Sequence, residues 1–282
     1  MASPTKKAKA DATLSIAEAF AVSRAEKRAA FIPYITAGFP ALDSTVPLLL
    51  ALQRGGADII ELGMPFSDPM ADGPTIQKSS YDALVNGVKL DHCFDYVAAA
   101  RAQGLTVPVV LMGYTNPFLS YGEDRLAARA KLVGVEGFIV VDMPPDDAGA
   151  FATCLEAKGL AFVPLVAPTS ADARMSTLAK LAKGYVYCVS LTGVTGSRSE
   201  LPADLPVFLK RVRGSFGADF PIVVGFGLST PAHVAHVHAM GADGAVVGSK
   251  VIEELRRHAT LPEQEKGLEA YARHMRGGAA AS

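Results

Sequence analysis

The stretch RGGADIIELG, residues 54–63, joins a helix-like segment to a short apolar run through Gly, Ala and Asp. The same joint recurs near the other end of the chain as AMGADGAVVGS, residues 239–249. An apolar run bounded by Gly and Asp is typical of a strand, and its near-continuous apolar character is typical of a parallel strand covered on both faces. The two joints therefore predict a chain built from repeated helix-to-strand units.

Eight runs of this kind are spread along the chain, and helix-like stretches of roughly 10–15 residues lie between them. The runs are 31–38, 58–63, 107–114, 137–143, 160–168, 184–190, 220–227 and 244–249. No Pro/Ser/Gly-rich linker divides them. The pattern predicts an α/β fold, a single (β/α)8 TIM barrel, and a doubly wound sheet is the alternative. Extra helices are expected at about 15–27 and between 89 and 104.

The composition fits one large domain. The chain has 282 residues, half of them hydrophobic, and α/β barrels commonly need roughly 200–250 residues. We assign residues 15–276 to the barrel and residues 1–14 and 277–282 to flexible tails. The net charge of −1 gives no reason to expect nucleic acid or an anionic membrane as partner. The three cysteines lack paired spacing and the N-terminal segment lacks an apolar signal region, so we expect a cytoplasmic protein.

The first candidate site residues follow the second predicted strand, because the loops at the carboxyl ends of barrel strands form the site. Glu61 lies inside this strand, on the face that it shares with Ile59 and Gly63. Burial would raise its pKa and let it deliver a proton near neutral pH, whereas a structural ion pair with Lys or Arg is the alternative. The loop MPFSDPMADGP, residues 64–74, adds Asp72, which could also serve only as a turn or cap residue.

Gly-rich loops follow the last strands. GFGLST (225–230) follows the seventh run and VGSK (247–250) the eighth. Paired loops of small residues at these strands commonly hold a phosphate, and simple turns are the alternative. The loop LTGVTGSRSELPAD (191–204) is long enough to form a lid, and neither a Walker motif nor GxGxxG is present. The histidines of HVAHVH (233–238) have no carboxylate beside them and do not predict a metal site.

Four segments carry a family resemblance: FIPYITAGFP (31–40), DIIELGMPFSDPMADGPTIQ (58–77), YVYCVSLTGVTG (185–196) and GFGLS (225–229). In order and spacing, from about Phe31 to Ser249, the chain resembles the tryptophan synthase alpha subunit. The resemblance implies a lyase that cleaves indole-3-glycerol phosphate to indole and glyceraldehyde 3-phosphate, without a metal or organic cofactor in this subunit. It also implies a beta subunit that carries pyridoxal phosphate, in an alpha2beta2 heterotetramer of tryptophan biosynthesis.

The same resemblance, carried over position by position, implies roles for single residues. Glu61 would be the acid/base, Asp72 the partner of the indole N–H, and Tyr187 an active-site tyrosine, although core packing explains Tyr187 equally well. Thr195 would belong to the lid over Asp72, and Leu191 stands where some relatives have arginine. The implied indole pocket comprises Tyr34, Met112 and Ile139. The implied phosphate-binding residues are Gly196, Phe226, Gly227, Gly248 and Ser249.

Two other hypotheses stay open at the level of sequence. Another phosphate-binding barrel isomerase or aldolase would share the Gly-rich loops, but a Schiff-base aldolase needs a lysine at a strand end and none of the eight runs contains one. A barrel retained as a non-catalytic regulatory subunit is the second hypothesis. The presence of both Glu61 and Asp72 argues against it.

Overall fold

The computed structural model describes residues 13–189, 202–225 and 227–277. Within these ranges one parallel sheet has the hydrogen-bonded order β5-β4-β3-β2-β1-β9-β8-β7-β6, with the first and last strands of the chain side by side. The strands are β1 Ala30–Thr36, β2 Ile60–Gly63, β3 Val109–Gly113, β4 Gly137–Val140, β5 Ala161–Val163, β6 Leu165–Val166, β7 Val186–Val189, β8 Ile222–Gly225 and β9 Gly244–Val247.

The sheet closes at Pro164, which lies between β5 and β6. β5 pairs with β4, and β6 pairs with β7. Backbone bonds continue across the break, from Lys183 N–H to the Phe162 carbonyl and from Tyr187 N–H to the Pro164 carbonyl, both at 2.9 Å. The single TIM barrel predicted from the sequence is confirmed. The expectation that 160–168 forms one unbroken strand is wrong, because proline has no N–H to continue the ladder.

One or two helices follow each strand, except that β5 leads directly into β6. In the described ranges they are α1 Ile16–Ala25, α2 Thr45–Gly55, α3 Pro74–Val85, α4 Leu90–Ala102, α5 Thr115–Tyr121, α6 Glu123–Val133, α7 Pro145–Ala157, α8 Asp172–Leu181, α9 Leu205–Phe216, α10 Pro231–Ala239, α11 Ser249–Arg256 and α12 Leu261–Met275. α1 and α4 are the extra helices that the sequence predicted. None of these helices is both long enough and apolar enough to cross a membrane.

Local chemistry explains where helices begin and end. The Ser15 hydroxyl accepts the Glu18 backbone N–H at 3.2 Å, and the Glu18 carboxylate accepts the Ser15 N–H at 2.8 Å, so α1 begins with a capping box. α2 is followed by its C-cap residue Gly56, whose φ of 94° lies in the left-handed region that glycine adopts without strain. These signals fix the start of α1 and the end of α2.

The two Gly-Ala-Asp joints have the same structural role. Asp58 precedes β2, and its carboxylate accepts the Phe31 backbone N–H and an arginine N–H, each at 2.8 Å. Asp243 precedes β9, and its carboxylate accepts the Ile222 backbone N–H at 2.9 Å and an arginine N–H at 2.8 Å. Each backbone N–H belongs to the start of the neighbouring strand. The repeated joint therefore ties β2 to β1 and β9 to β8 at the amino ends of the strands.

The strand register determines which side chains point into the barrel. Tyr34 of β1 is paired with Glu61 of β2, and Gly63 of β2 is paired with Met112 of β3. Paired residues of parallel strands share a face, and alternate residues along a strand share it too. These residues therefore point inward near the carboxyl ends of their strands, where the site is expected.

Candidate active site

A cavity of about 720 Å³, which includes its open mouth, lies at the carboxyl ends of the strands. Residues from both ends of the chain line it, since the first and last strands are neighbours. The cavity brings together eight of the predicted site residues: Tyr34, Glu61, Asp72, Met112, Tyr187, Gly227, Gly248 and Ser249.

Glu61 extends from β2 into the interior and is fully buried. Tyr185, which lies just before β7, donates its hydroxyl to Glu61 Oε1 at 2.9 Å. The other oxygen, Oε2, is buried and has no hydrogen-bond partner among the described residues. Among the described residues no lysine or arginine forms an ion pair with this carboxyl, which accepts its hydrogen bond from Tyr185. The alternative of a structural ion pair is therefore not supported.

The protonation of Glu61 follows from its surroundings. Burial raises the pKa of Glu61 from an ordinary 4.5 to about 8, and the hydrogen bond from Tyr185 offsets only part of this rise. The carboxyl group is therefore mainly protonated at neutral pH. A buried acid with one unsatisfied oxygen at a cavity can give a proton to a ligand there.

Asp72 lies in the loop before α3 and is held by Tyr114. The Tyr114 hydroxyl donates to Asp72 Oδ2 at 2.8 Å and accepts the Ala71 backbone N–H at 3.1 Å. The ring of Tyr114 stacks on that of Phe66, with centroids 4.9 Å apart. Burial raises the pKa of Asp72 to about 6, and the bond from Tyr114 acts against this rise. Asp72 is therefore mainly ionised at neutral pH, beside a protonated Glu61 in the same cavity.

Two tyrosines in the cavity depend on glycines of their neighbouring strands. The hydroxyl of Tyr34 lies where a Cβ on Gly63 would be, and the hydroxyl of Tyr187 lies where a Cβ on Gly225 would be. Any side chain at either glycine would displace a tyrosine from the cavity wall. Burial raises the pKa of both phenols above the usual range, so they are neutral at physiological pH.

Small residues and a helix start form another part of the cavity. Gly227 follows β8 with a φ of 79°, a conformation that other residues adopt only with strain. Gly248 is the N-cap of α11, and the first bond of this helix runs from Ile252 N–H to the Gly248 carbonyl at 3.1 Å. The N–H groups before Ile252 have no acceptor within the helix, which makes this helix start suited to an anion.

The other predicted site residues have different outcomes. Ile139 is fully buried in β4 and paired with Met112, but it does not line this cavity, so its contact with a substrate stays a prediction. Residues 190–201 and 226 lie outside the described ranges, as does most of the predicted lid. The site predictions that fall there are those for Leu191, Thr195, Gly196 and Phe226.

Sequence reasoning missed the two tyrosines that bind the carboxyl groups. Tyr185 stands two residues before Tyr187, so the strand period alone places both on one face. Tyr114 ends the third predicted strand, where loop residues of the site begin. Other lining residues that were not singled out are Gly73, Ile76, Leu228, Ser229, Val246, Lys250 and Glu253. In the described part of the chain no group of at least three His, Cys, Asp or Glu side chains could hold a metal ion.

The fold and the cavity together define a class of protein. The chain is a parallel (β/α)8 barrel, and its cavity combines a protonated carboxyl, an ionised carboxylate and a helix start at the carboxyl ends of the strands. This is the arrangement of a barrel enzyme that moves protons on a ligand with an anionic group.

Comparisons with known proteins identify the family. A family model for the tryptophan synthase alpha chain matches residues 20–280. The tryptophan synthase alpha chain of Roseiflexus sp. (strain RS-1) is 48% identical over 242 residues, which cover 86% of this chain and 92% of that protein. The tryptophan synthase a2b2 complex of Pyrococcus furiosus contains a chain with a TM-score of 0.81 and 40% identity, covering 89% of this chain and 98% of that one. The aminoacrylate-bound tryptophan synthase of M. tuberculosis gives a TM-score of 0.80 at 32% identity, covering 93% and 100%. The chain belongs to the tryptophan synthase alpha chain family.

Proposed function

We propose that this chain cleaves indole-3-glycerol phosphate to indole and glyceraldehyde 3-phosphate, as the alpha subunit of tryptophan synthase. The observation that carries the proposal is the buried Glu61, which lines the cavity and whose Oε2 has no hydrogen-bond partner among the described residues. The cleavage is a retro-aldol reaction. It requires a proton delivered to indole C3 and a proton removed from the hydroxyl of the adjacent side-chain carbon.

Glu61 can perform both proton transfers. Its protonated carboxyl gives the proton to C3, which places positive charge on the indole ring. The resulting carboxylate then removes the proton of the side-chain hydroxyl. The electrons of the O–H bond form the aldehyde carbonyl, and the electrons of the breaking C–C bond return to the indole ring. Glu61 regains its proton, so the step is balanced. Tyr185 donates to Oε1, whereas Oε2 has no hydrogen-bond partner among the described residues.

Asp72 complements this chemistry with a negative charge. As a carboxylate it can accept the indole N–H, and its charge stabilises the positive ring that forms when C3 is protonated. Tyr114 fixes the orientation of Asp72 through the 2.8 Å hydrogen bond. Tyr34, Met112 and Tyr187 would contact the ring, since they line the same cavity.

The phosphate of the substrate would bind at the start of α11. Gly227, Gly248 and Ser249 bring small residues and backbone N–H groups to one part of the cavity. A helix N-terminus carries partial positive charge and attracts a phosphate. The backbone of Gly196 and Phe226 would add to this cradle according to the family resemblance.

The chain would act with a beta subunit in an alpha2beta2 heterotetramer. The Pyrococcus furiosus structure that it resembles is an a2b2 complex. Pyridoxal phosphate belongs to the beta subunit, whereas the chemistry of this chain uses its own side chains. We place the protein in the cytoplasm, because its three cysteines lack the paired spacing of disulfide-bonded proteins.

A steady-state assay of indole release from indole-3-glycerol phosphate tests the function. We expect Glu61→Gln to lower kcat at least about 100-fold and to change KM little, because the amide keeps the shape but has no acidic proton to give. Glu156→Gln is the matched control, since that carboxylate is 63% exposed on α7. A wild-type chain that releases no indole, with or without the beta subunit, would overturn the function. Nearly full turnover by Glu61→Gln would remove Glu61 from the mechanism.

A further inference from the structure

The charges around the cavity are unbalanced for a substrate that carries a phosphate. The described lining residues include two carboxylates, Asp72 and Glu253, the protonated carboxyl of Glu61, and one cation, Lys250. Lys250 is the second residue of α11 and lies next to Ser249. Its Nζ is 3.1 Å from Glu253 Oε2, and the two side chains are 26% and 38% exposed. The cation and its partner therefore line the cavity together with Gly248 and Ser249.

The stability of α11 does not explain this pair. A lysine in the first turn of a helix is opposed by the positive partial charge of the helix N-terminus. A lysine that precedes its glutamate along the helix is also in the less favourable order for an ion pair. Partly exposed pairs of this kind contribute little to folding. An anion bound in front of the helix would account for the position of Lys250.

We propose that Lys250 is a phosphate-binding residue whose Nζ exchanges Glu253 for the phosphate of the substrate. This inference rests on the proposed function, because the anion is the phosphate group of indole-3-glycerol phosphate. The long, flexible stem of lysine allows its ammonium group to change partner while the helix stays fixed. The charged hydrogen bond adds to those from the backbone N–H groups of α11.

Glu253 has the opposite effect on binding. Its carboxylate competes with the phosphate for the ammonium group of Lys250, at a resting Nζ to Oε2 distance of 3.1 Å. Competition of this kind weakens the binding of every phosphorylated ligand by the same factor. It therefore keeps the product glyceraldehyde 3-phosphate from being held too tightly after the C–C bond has broken.

Substitutions at both positions test the exchange, with inorganic phosphate as the probe in isothermal titration and indole release as the kinetic readout. Lys250→Met keeps the apolar stem and should raise the phosphate Kd and the substrate KM roughly 10- to 100-fold while kcat stays within about threefold. Lys250→Arg should stay close to the wild type in both constants. Glu253→Gln should lower the phosphate Kd about 2- to 5-fold, and this gain should vanish in the Lys250→Met background.

Lys180→Met is the matched control, because Lys180 lies in the exposed last turn of α8. Circular dichroism and thermal unfolding establish that each variant is folded. A folded Lys250→Met with wild-type Kd and KM would overturn the role of Lys250. A gain by Glu253→Gln that persists without Lys250 would overturn the exchange, since Glu253 would then repel the anion directly. Lys250-dependent phosphate binding in a chain that releases no indole would overturn the proposed function alone.

Discussion

At the scale of the residue, two carboxyl groups of one cavity differ in protonation because their surroundings differ. Glu61 is fully buried and receives one hydrogen bond, and its pKa is raised to about 8. Asp72 is only partly buried, and its pKa is raised to about 6. Between these values Glu61 is mainly an acid and Asp72 is mainly a carboxylate. This is the combination that the proposed proton transfer to C3 requires.

The pH dependence of kcat/KM should therefore be bell-shaped, with limbs near the pKa values of about 6 and about 8. Tyr114 and Tyr185 each donate to a carboxylate, so removing either hydroxyl favours the protonated form and raises the pKa of its partner. Tyr114→Phe should move the acidic limb to higher pH, and Tyr185→Phe should move the alkaline limb to higher pH, each by roughly 0.5–1 unit. Indole release measured from pH 5 to pH 10 checks this. Identical limbs in all three proteins would contradict the assignment.

The sequence could identify the acids at this scale but not the side chains that set their protonation. Glu61 was recognisable as a charged residue inside an apolar strand, and Asp72 as an acid in the loop after it. Tyr185 is 124 positions away from Glu61 along the chain. The contact between Tyr185 and Glu61 depends on the closure of the barrel. No local sequence pattern indicates which inward side chains of distant strands contact each other.

At the scale of the element, the strands were predictable because each helix-to-strand joint carries its own local signal. Each Gly-Ala-Asp joint lies between a helix and a strand, and its carboxylate accepts the backbone N–H of the preceding, neighbouring strand. The break at Pro164 was not predicted, although the proline was visible, because the run around it is continuously apolar. A hydrophobic pattern indicates which residues are buried, whereas a strand boundary depends on which residues have a backbone N–H that can donate to the neighbouring strand.

The Asp243 joint should contribute measurably to stability. Its carboxylate accepts N–H groups from Arg24, Arg213 and the Ile222 backbone, at 2.8–3.1 Å, and its side chain is only 14% exposed. Asp243→Asn removes the charge from a partly exposed network and should lower the free energy of unfolding by about 1–3 kcal/mol. Asp219→Asn is the control, since Asp219 is exposed nearby in sequence. Urea unfolding followed by circular dichroism measures both variants, and equal values would contradict a structural role for the joint.

At the scale of the whole molecule, one requirement of the site conflicts with stability. A carboxyl group placed in the barrel interior with one unsatisfied oxygen is unfavourable whenever it is ionised. The fold tolerates Glu61 because the group stays protonated over much of the pH range. The surrounding core, with buried residues such as Phe31 and Ile32 of β1 and Ile60 of β2, provides the stability that this position does not.

This conflict predicts how stability depends on pH. The pKa of Glu61 is about 8 in the folded chain against an ordinary value of 4.5, so the folded state binds this proton more tightly than the unfolded state does. The resulting stabilisation is complete below the unfolded value and is lost as the pH rises through the folded value. Glu61→Gln has no such proton. The free energy of unfolding of Glu61→Gln minus that of the wild type should therefore increase by roughly 2–5 kcal/mol from pH 5 to pH 9. The other titrating groups are common to both proteins and cancel in the difference.

Since the chain has no tryptophan, urea unfolding at pH 5, 7 and 9 is followed by circular dichroism. The exposed substitution Glu156→Gln should show no such trend. If the difference between wild type and Glu61→Gln stays constant with pH, the carboxyl of Glu61 has the same pKa in the folded and the unfolded state, which would contradict the prediction.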